Sequence, residues 1–260
     1  MTDRIDQVIE KAACDHWWVP DHTQVVARPE IDYTHSTHPG FRFNEVVRVQ
    51  PGLPDYDRLV DEVVRAHQGR NSEWKLGSLS YSSQLGDAIL RAGYSVKAVC
   101  DAWSIDTRGA RPPIPDHIRV SRVEDLDSLR DMETVMASAF DGFDAPSDDD
   151  LREALSSAVG PDARCRRYVA YDARNGDPLS TGAVNVFPEL GFGFMWGGST
   201  IESARGRGVY SALVTARMAD AQRLGIERIG LYAMRETSAP IVKAQNFEKH
   251  GPVHFLEKAL

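Results

Sequence analysis

Two glycines and two arginines stand together at Arg205, Gly206, Arg207 and Gly208, directly before a segment whose apolar residues recur at helical spacing. The first N–H groups of a helix have no intrahelical partner and carry a partial positive charge, so an anion placed there gains several hydrogen bonds. Glycine permits a tight turn and a close approach of the backbone, and arginine adds charge-assisted contacts. The pattern predicts a phosphate-binding turn, and an ordinary solvated turn with surface arginines is the alternative.

Two other nucleotide-binding motifs fit this turn poorly. A P-loop requires a lysine, and no lysine lies in the turn. A dinucleotide fingerprint requires a third glycine, but Val209, Tyr210 and Ser211 follow Gly208. The turn therefore points to another class of phosphate ligand.

The elements around the turn occur twice along the chain. A proline-rich stretch at residues 106–117 reads as a linker, and each half contains a strand, a helix, a strand, a short helix and a final strand. This order predicts an internal duplication. At the corresponding junction the first half has "QPGLPDYDR", in which Pro51 and Pro54 lack N–H groups and Asp55 and Asp57 add negative charge. Only the second half is equipped to bind the anion.

From residue 117 onward the sequence resembles the GNAT (GCN5-related) N-acetyltransferase superfamily in element order and in its central motif. The family pattern is Gln/Arg-x-x-Gly-x-Gly/Ala after the fourth strand, and residues 205–210 match it except at Tyr210. The resemblance implies that backbone N–H groups of this turn hold the pyrophosphate of acetyl-CoA, and that the preceding strand pairs by main chain with the pantetheine arm. The cofactor-binding residues it implies are Gly198, Ser199, Thr200, Arg205, Gly206, Arg207, Gly208, Val209, Tyr210, Ser211, Arg235 and Ser238.

The fold class that follows is α/β (α+β), with two GNAT-like lobes that are each a mixed, largely antiparallel sheet flanked by helices. Residues 1–110 form a degenerate N-terminal lobe in this prediction, and residues 111–260 form the acetyl-CoA-binding lobe.

The same resemblance shows an altered catalytic position. Many members carry Asn-x-x-Ala-x-x-x-Tyr-x-x-x-Gly-Phe, with the tyrosine as general acid toward the departing thiolate. Alignment on Asn246 and Phe247 places Arg235 at the asparagine, Ser238 at the alanine and Val242 at the tyrosine. Valine cannot donate a proton. Either Ser238, Tyr232 or water serves as donor, or the thiolate, with a thiol pKa of roughly 8.5, leaves without a protein acid, or the chemistry is lost.

The general base is not evident from the sequence. Glu189 and Glu202, on either side of the glycine-rich strand "GFGFMWGGSTI", are candidates, although each is more typical of a solvated surface acid. The aromatic and apolar residues of that strand either line an acceptor pocket or fill the core. The acids at residues 148–150 predict a helix start, and they would also attract a cationic amine.

The predicted function is transfer of an acetyl group from acetyl-CoA to a primary amine of a small molecule or peptide, by direct attack in a ternary complex. The alternatives are a non-catalytic acyl-CoA-binding or regulatory protein, and a structural interaction protein that binds no CoA.

Composition narrows the compartment and the partners. The net charge of −8 and pI of about 5.5 would repel nucleic acid and anionic membrane surfaces. Three cysteines without a CxxC motif indicate a reducing compartment, and no apolar run reaches membrane length, so a cytoplasmic monomer or homodimer is expected. Cys14, His16 and His22 fit no standard zinc pattern, and no metal is predicted.

Overall fold

A computed structural model of the chain describes residues 2–16, 19–38, 40, 43–139, 146–160 and 163–260. The tryptophans next to Cys14, and most of the loop before the acids at residues 148–150, lie outside the described residues. The chain divides into two compact units, one of Met1–Trp103 with Tyr232–Leu260 and one of Ser104–Leu231. The lobes predicted at residues 1–110 and 111–260 stay a prediction.

The first unit contains both ends of the chain. Its elements are α1 (Thr2–Ala13), β1 (Thr23–Ala27), β2 (Ile31–Ser36), β3 (Glu45–Val49), α2 (Tyr56–Ala66), β4 (Ser72–Leu76), α3 (Ser83–Arg91), most of β5 (Ser95–Asp106), the end of β10 (Arg228–Met234), α7 (Ala239–Ala244) and β11 (Glu248–Lys258). The strands run in the order β1-β2-β3-β4-β11-β5. The pairs β1–β2, β2–β3 and β4–β11 are antiparallel, whereas β3 and β4 run parallel.

Two amphipathic helices cover the core of the first unit. Their buried residues, three or four apart along each helix, include Leu59 and Val63 in α2 and Leu85 and Ile89 in α3. These side chains pack with Trp74 of β4, which is fully buried. Burial of this apolar surface holds α2 and α3 in place.

The second unit is one continuous segment of the chain. It holds β6 (Ile118–Arg122), α4 (Leu126–Ala139), α5 (Asp148–Ser156), β7 (Cys165–Asp172), β8 (Pro178–Phe187), β9 (Phe192–Thr200), α6 (Val209–Arg223) and the start of β10. The strand order is β10-β9-β8-β7-β6, with parallel pairing of β10 to β9 and antiparallel pairing elsewhere. The mixed, largely antiparallel α/β class predicted from the sequence is confirmed.

The predicted helix start at residues 148–150 is also confirmed. The acids at residues 148–150 begin α5, where Ser147 and Asp150 form a reciprocal capping box. The β7–β8 hairpin turns at Gly176, whose φ is +81°, a conformation that glycine adopts without strain. None of the described helices is long and apolar enough to cross a bilayer.

Candidate functional site

The glycine–arginine turn joins β9 to α6. After a single 3₁₀ turn at Glu202–Ala204, Gly206 and Gly208 take φ values of +74° and +77°, so both positions need the left-handed conformation that glycine adopts without strain. Gly208 is the N-cap of α6, and no described side chain caps the helix. A Cβ built on Gly206 would meet no described atom within 4 Å. The turn therefore leaves the N-terminal N–H groups of α6 without a side-chain acceptor.

Both arginines of the turn are exposed and close to it. Arg205 Nε donates to the Thr200 carbonyl oxygen at 3.3 Å, and Arg207 Nη2 lies 3.5 Å from an Asp172 carboxylate oxygen. The backbone N–H of Arg174, and additionally Arg207, hold the pKa of the Asp172 carboxyl below its usual value. These contacts are long and solvent-exposed, so each guanidinium keeps donors that a phosphate could accept.

The strand before the turn is bulged. Ala183 of β8 pairs with Trp196 and Thr181 with Ser199, so Gly182 on β8 opposes two residues of β9, Gly197 and Gly198. Gly197 has a φ of +61°, as expected for the left-handed residue of such a bulge. The register of β9 with β10 covers residues 192–194 and 228–230, and β9 continues from residue 195 to 200 beyond it. This backbone can pair with an extended ligand.

Tyr210, the residue that departs from the family pattern, packs against the bulge. A Cβ built on Gly198 would lie 2.9 Å from Tyr210 Cε2 and 3.3 Å from its hydroxyl oxygen. The Arg217 guanidinium carbon lies 5.6 Å from the centre of the Tyr210 ring, and Arg217 is almost completely buried. The resemblance implies a role only for the backbone of Tyr210. The two glycines in the preceding strand were the signal for a side chain packed this closely.

The remaining predicted cofactor residues of the second unit occupy defined positions. Val209 is buried in the first turn of α6, and Ser211 is half-buried beside it. The Ser199 side chain is buried, and the Ser180 hydroxyl donates to the Ser199 carbonyl oxygen at 2.5 Å and lies 2.8 Å from Thr200 Oγ1. All of these residues belong to one unit, together with the turn.

Three other predicted site residues belong to the first unit. The Ser238 hydroxyl accepts the Met234 N–H at 2.8 Å, and Arg235 forms an ion pair with Asp101 at 2.8 Å. Tyr232 packs edge-to-face on Phe255, and burial raises the pKa of its hydroxyl well above the usual value. These contacts of Ser238 and Arg235 are with residues of the first unit. The assignment of Ser238, Arg235 and Tyr232 to the site stays a prediction.

The two candidate bases of the second unit are surface residues. Glu189 pairs with Arg164 at 2.8 Å, and Glu202 is exposed in the 3₁₀ turn. Their assignment stays a prediction, and neither is buried as a tuned general base commonly is. Phe192 and Met195 fill the core, whereas Phe194 and Trp196 are half-buried.

Two departures from the family motif lie in α7 and at its end, and the structure accounts for the one at the helix end. Asn246 has a φ of +64°, and the Phe247 N–H donates to the Val242 carbonyl oxygen across the helix end, so Asn246 supplies a left-handed cap where the family motif has glycine. Val242, at the position of the family's tyrosine, is fully buried in the core. This position therefore offers no proton donor.

The first unit also contains a bulged strand followed by a helix, but polar groups of this strand and helix are hydrogen-bonded to side chains of the protein. Asp32 pairs with Arg48 and Tyr33 with Val46, so β3 also carries one extra residue, Val47, and it pairs in parallel with β4 over only two residue pairs. The Cys14 thiol donates to the Val47 carbonyl oxygen at 3.0 Å. At the N-terminus of α2, the carboxylate of Asp55 accepts the Arg58 N–H at 2.9 Å. An acidic side chain of the chain itself thus occupies the position where a phosphate would bind.

No family model and no curated protein matches the chain. Solved structures do match. A GCN5-related N-acetyltransferase from Kribbella flavida superposes with a TM-score of 0.71 at 14% identity, covering 99% of this chain and 95% of that one. A tandem GNAT protein from the clavulanic acid biosynthesis pathway gives 0.63 at 11% identity, covering 99% and 94%. The chain has the GNAT fold. A GCN5-related N-acetyltransferase from Sphaerobacter thermophilus gives 0.63 at 16% identity, covering 88% and 80%.

The bulged β9, the glycine turn and α6 follow one another in the order predicted from the sequence. In the part of the chain that the structure describes, no group of three or more His, Cys, Asp or Glu side chains could hold a metal ion.

Proposed function

We propose that the second unit binds acetyl-CoA and transfers its acetyl group to a primary amine of a small molecule or peptide. The observation that carries this proposal is the N-terminus of α6, which has no side-chain cap, two left-handed glycines and two exposed arginines beside it. A diphosphate there would accept helix N–H groups and guanidinium donors together. The GNAT fold around this turn supports the choice of acyl-CoA over other phosphate ligands.

The bulged strand supports the transfer step. The backbone of β9 beyond residue 194 would pair with the pantetheine arm and place the thioester near Gly197 and Gly198. A strand N–H at this place would stabilise the oxyanion that forms when the amine attacks the carbonyl carbon. With no side chain at either glycine, acceptor and thioester can approach the backbone closely.

A second candidate is a non-catalytic acyl-CoA-binding or regulatory protein, which the burial of Val242 at the family's acid position favours. The two candidates share the binding site and differ in turnover. The three described cysteines are free, which supports our proposal of a cytoplasmic protein.

Titration calorimetry with acetyl-CoA tests the binding site. We expect micromolar affinity, about 8 kcal/mol, for the unchanged protein, and loss of binding in Gly206→Val and Gly208→Val. Gly225→Val is a matched control, because Gly225 lies at the other end of α6 with a φ of +75° and open space around its Cβ position. It carries the same backbone strain and should still bind. Equal loss in all three variants would attribute the effect to strain and contradict the proposed site.

Thiol release from acetyl-CoA then separates the enzyme from the binding protein. We expect release above the spontaneous rate with at least one member of a panel containing a polyamine, an aminoglycoside, an amino acid and a peptide N-terminus. The release should disappear in Gly208→Val and persist in Gly225→Val. Binding without release across the panel would favour the regulatory candidate.

A further inference from the structure

Two departures from the family motifs concern the same chemical group, the phenol of a tyrosine. Val242 replaces the tyrosine that donates a proton to the leaving thiolate, and its side chain is fully buried. Tyr210 replaces a small residue in the pyrophosphate loop, where the pattern has glycine or alanine. One position has lost a phenol, and another position next to the bulged strand has gained one.

The Tyr210 ring is held in place from both sides. On one side it lies against Gly198, where the Cβ position is 2.9 Å from Cε2. On the other side is the buried Arg217, whose Nε donates to the Leu213 carbonyl oxygen at 3.2 Å and whose Nη1 donates to that of Ala183 at 3.3 Å. Tyr210 and Arg217 are seven residues apart, so they share one face of α6.

The strands are adapted to this pair of side chains. A Cβ on Gly182 would lie 2.8 Å from Arg217 Nη1, so Gly182 leaves room for the guanidinium as Gly198 leaves room for the phenol. No carboxylate of the described residues pairs with Arg217, and its Nη2 is buried without a hydrogen-bond partner. The Tyr210 ring face therefore contributes to stabilising the buried cation, which in turn fixes the position of the ring.

The hydroxyl of this ring lies at the bulge. It is 3.3 Å from the Cβ position of Gly198, and none of the described residues is hydrogen-bonded to it. The pairing of β9 with β10 ends before this point, so the hydroxyl lies beside backbone that is not paired to β10.

We propose that Tyr210 is the general acid of the acetyl transfer, replacing the tyrosine lost at position 242. This role rests on the proposed function. The amine nitrogen forms a bond to the thioester carbon, the C–S bond breaks with its electron pair moving to sulfur, and the Tyr210 hydroxyl gives its proton to that sulfur. The proton lost by the attacking amine returns to the phenolate through solvent, so the products are an amide and the free CoA thiol.

Tyr210→Phe tests the role because it keeps the ring, its packing on Gly198 and its contact with Arg217, and removes only the hydroxyl. We expect acetyl-CoA to bind with unchanged affinity by calorimetry, while kcat falls about 100-fold, the low end of what a general acid contributes. The matched control is Tyr168→Phe, which removes a hydroxyl that donates to Asp220 of α6 at 2.5 Å. This control should keep the unchanged kcat.

A second acyl donor separates proton donation from a structural effect. Phenyl thioacetate releases an aromatic thiolate that needs no protonation to leave, so the ratio of wild-type to Tyr210→Phe rates should shrink toward one with this donor. A variant that was merely distorted would lose activity toward both donors equally, and that result would overturn the role.

The remaining outcomes are distinguishable. Full activity of Tyr210→Phe with acetyl-CoA would overturn the acid role and leave the proposed function intact. Absence of both acetyl-CoA binding and amine-dependent thiol release in the unchanged protein would overturn the proposed function, and this role with it.

Discussion

Asn246 shows how an unusual backbone conformation restricts the residue type at a single position. Among the described residues other than glycine, only Asn246 has a positive φ, and it ends α7 directly before the strand β11. The left-handed conformation costs most residues roughly 1–2 kcal/mol, and Asn and Gly are the exceptions. The residue type at this position is therefore dictated by the backbone.

Replacement of Asn246 tests this reading. Asn246→Ala should lower the free energy of unfolding by about 1 kcal/mol, because alanine cannot relieve the strain, whereas Asn246→Gly should lower it little or not at all. Urea denaturation measures both. A similar loss in the two variants would show that the asparagine side chain, and not the backbone angle, stabilises the helix end.

Gly198 offers a residue-scale test of the packing of Tyr210. Gly198→Ala places a methyl group 2.9 Å from the ring, which should cost about 1–3 kcal/mol of unfolding free energy as overpacking. In a Tyr210→Ala background the same change should cost almost nothing, because the ring has been removed. In this double-mutant cycle we expect a coupling free energy of at least about 1 kcal/mol between the two substitutions. Additive effects would contradict the contact.

At the scale of elements, the two helix N-termini that follow the bulged strands differ in whether an acidic side chain of the protein caps them. In α2 the carboxylate of Asp55 caps the helix, whereas α6 begins at Gly208 without a described side-chain cap. The sequence predicted this difference from prolines and acids in one loop and from glycines and arginines in the other.

This difference predicts one acetyl-CoA site per chain. Calorimetry should give a stoichiometry of one, and Asp55→Ala should destabilise the protein by about 1 kcal/mol through loss of the cap without changing the affinity. Two equivalent binding events, or an affinity that responds to Asp55→Ala, would show that the first unit also binds the ligand.

The sequence predicted the elements with clear periodicity and missed those without it. Apolar residues at helical spacing predicted α6, the repeated element order predicted a helix and a short helix in each half, and the glycines predicted a tight turn at Gly206 and Gly208. The strands β1 and β2 were missed because "TQVVA" and "IDYTHS" mix polar and apolar residues and lack a clear alternation of period two.

Contacts between distant segments could not be predicted in the same way. The pairing of β11 with β4 joins residues about 180 positions apart, and periodicity within either strand carries no information about its partner. Likewise, the spacing of Tyr210 and Arg217 predicts only that the two residues share one helix face. The space that Gly182 and Gly198 leave for these side chains depends on the pairing of β8 with β9, which the spacing does not predict.

At the scale of the whole molecule, one buried histidine makes folding sensitive to pH. His67 donates from Nε2 to the Thr34 carbonyl oxygen at 2.7 Å and accepts the Ser72 hydroxyl at Nδ1 at 2.7 Å, an arrangement that requires the neutral ring. Burial lowers the pKa of His67 from 6.5 to about 4.

The unfolded chain therefore binds a proton on this histidine at a higher pH than the folded protein. The contribution of His67 to the free energy of unfolding should be fully present above a pH of about 6.5. It should fall as the pH drops to about 4, with a total loss of about 3 kcal/mol. His67→Gln should unfold with a shallower pH dependence over that window, measured by denaturant titration at several pH values. Parallel curves for the two proteins would contradict the assignment.

The pairing of β4 with β11 also sets an order of events during synthesis. The first unit contains residues from both ends of the chain, whereas the second is continuous. On the ribosome the second unit can close while the first still lacks β11, the reverse of the usual N-terminal-first order. Until β11 emerges, the edge of β4 is an unpaired template for other nascent chains, so a chaperone that covers it should raise the yield of folded protein more than one that acts after release.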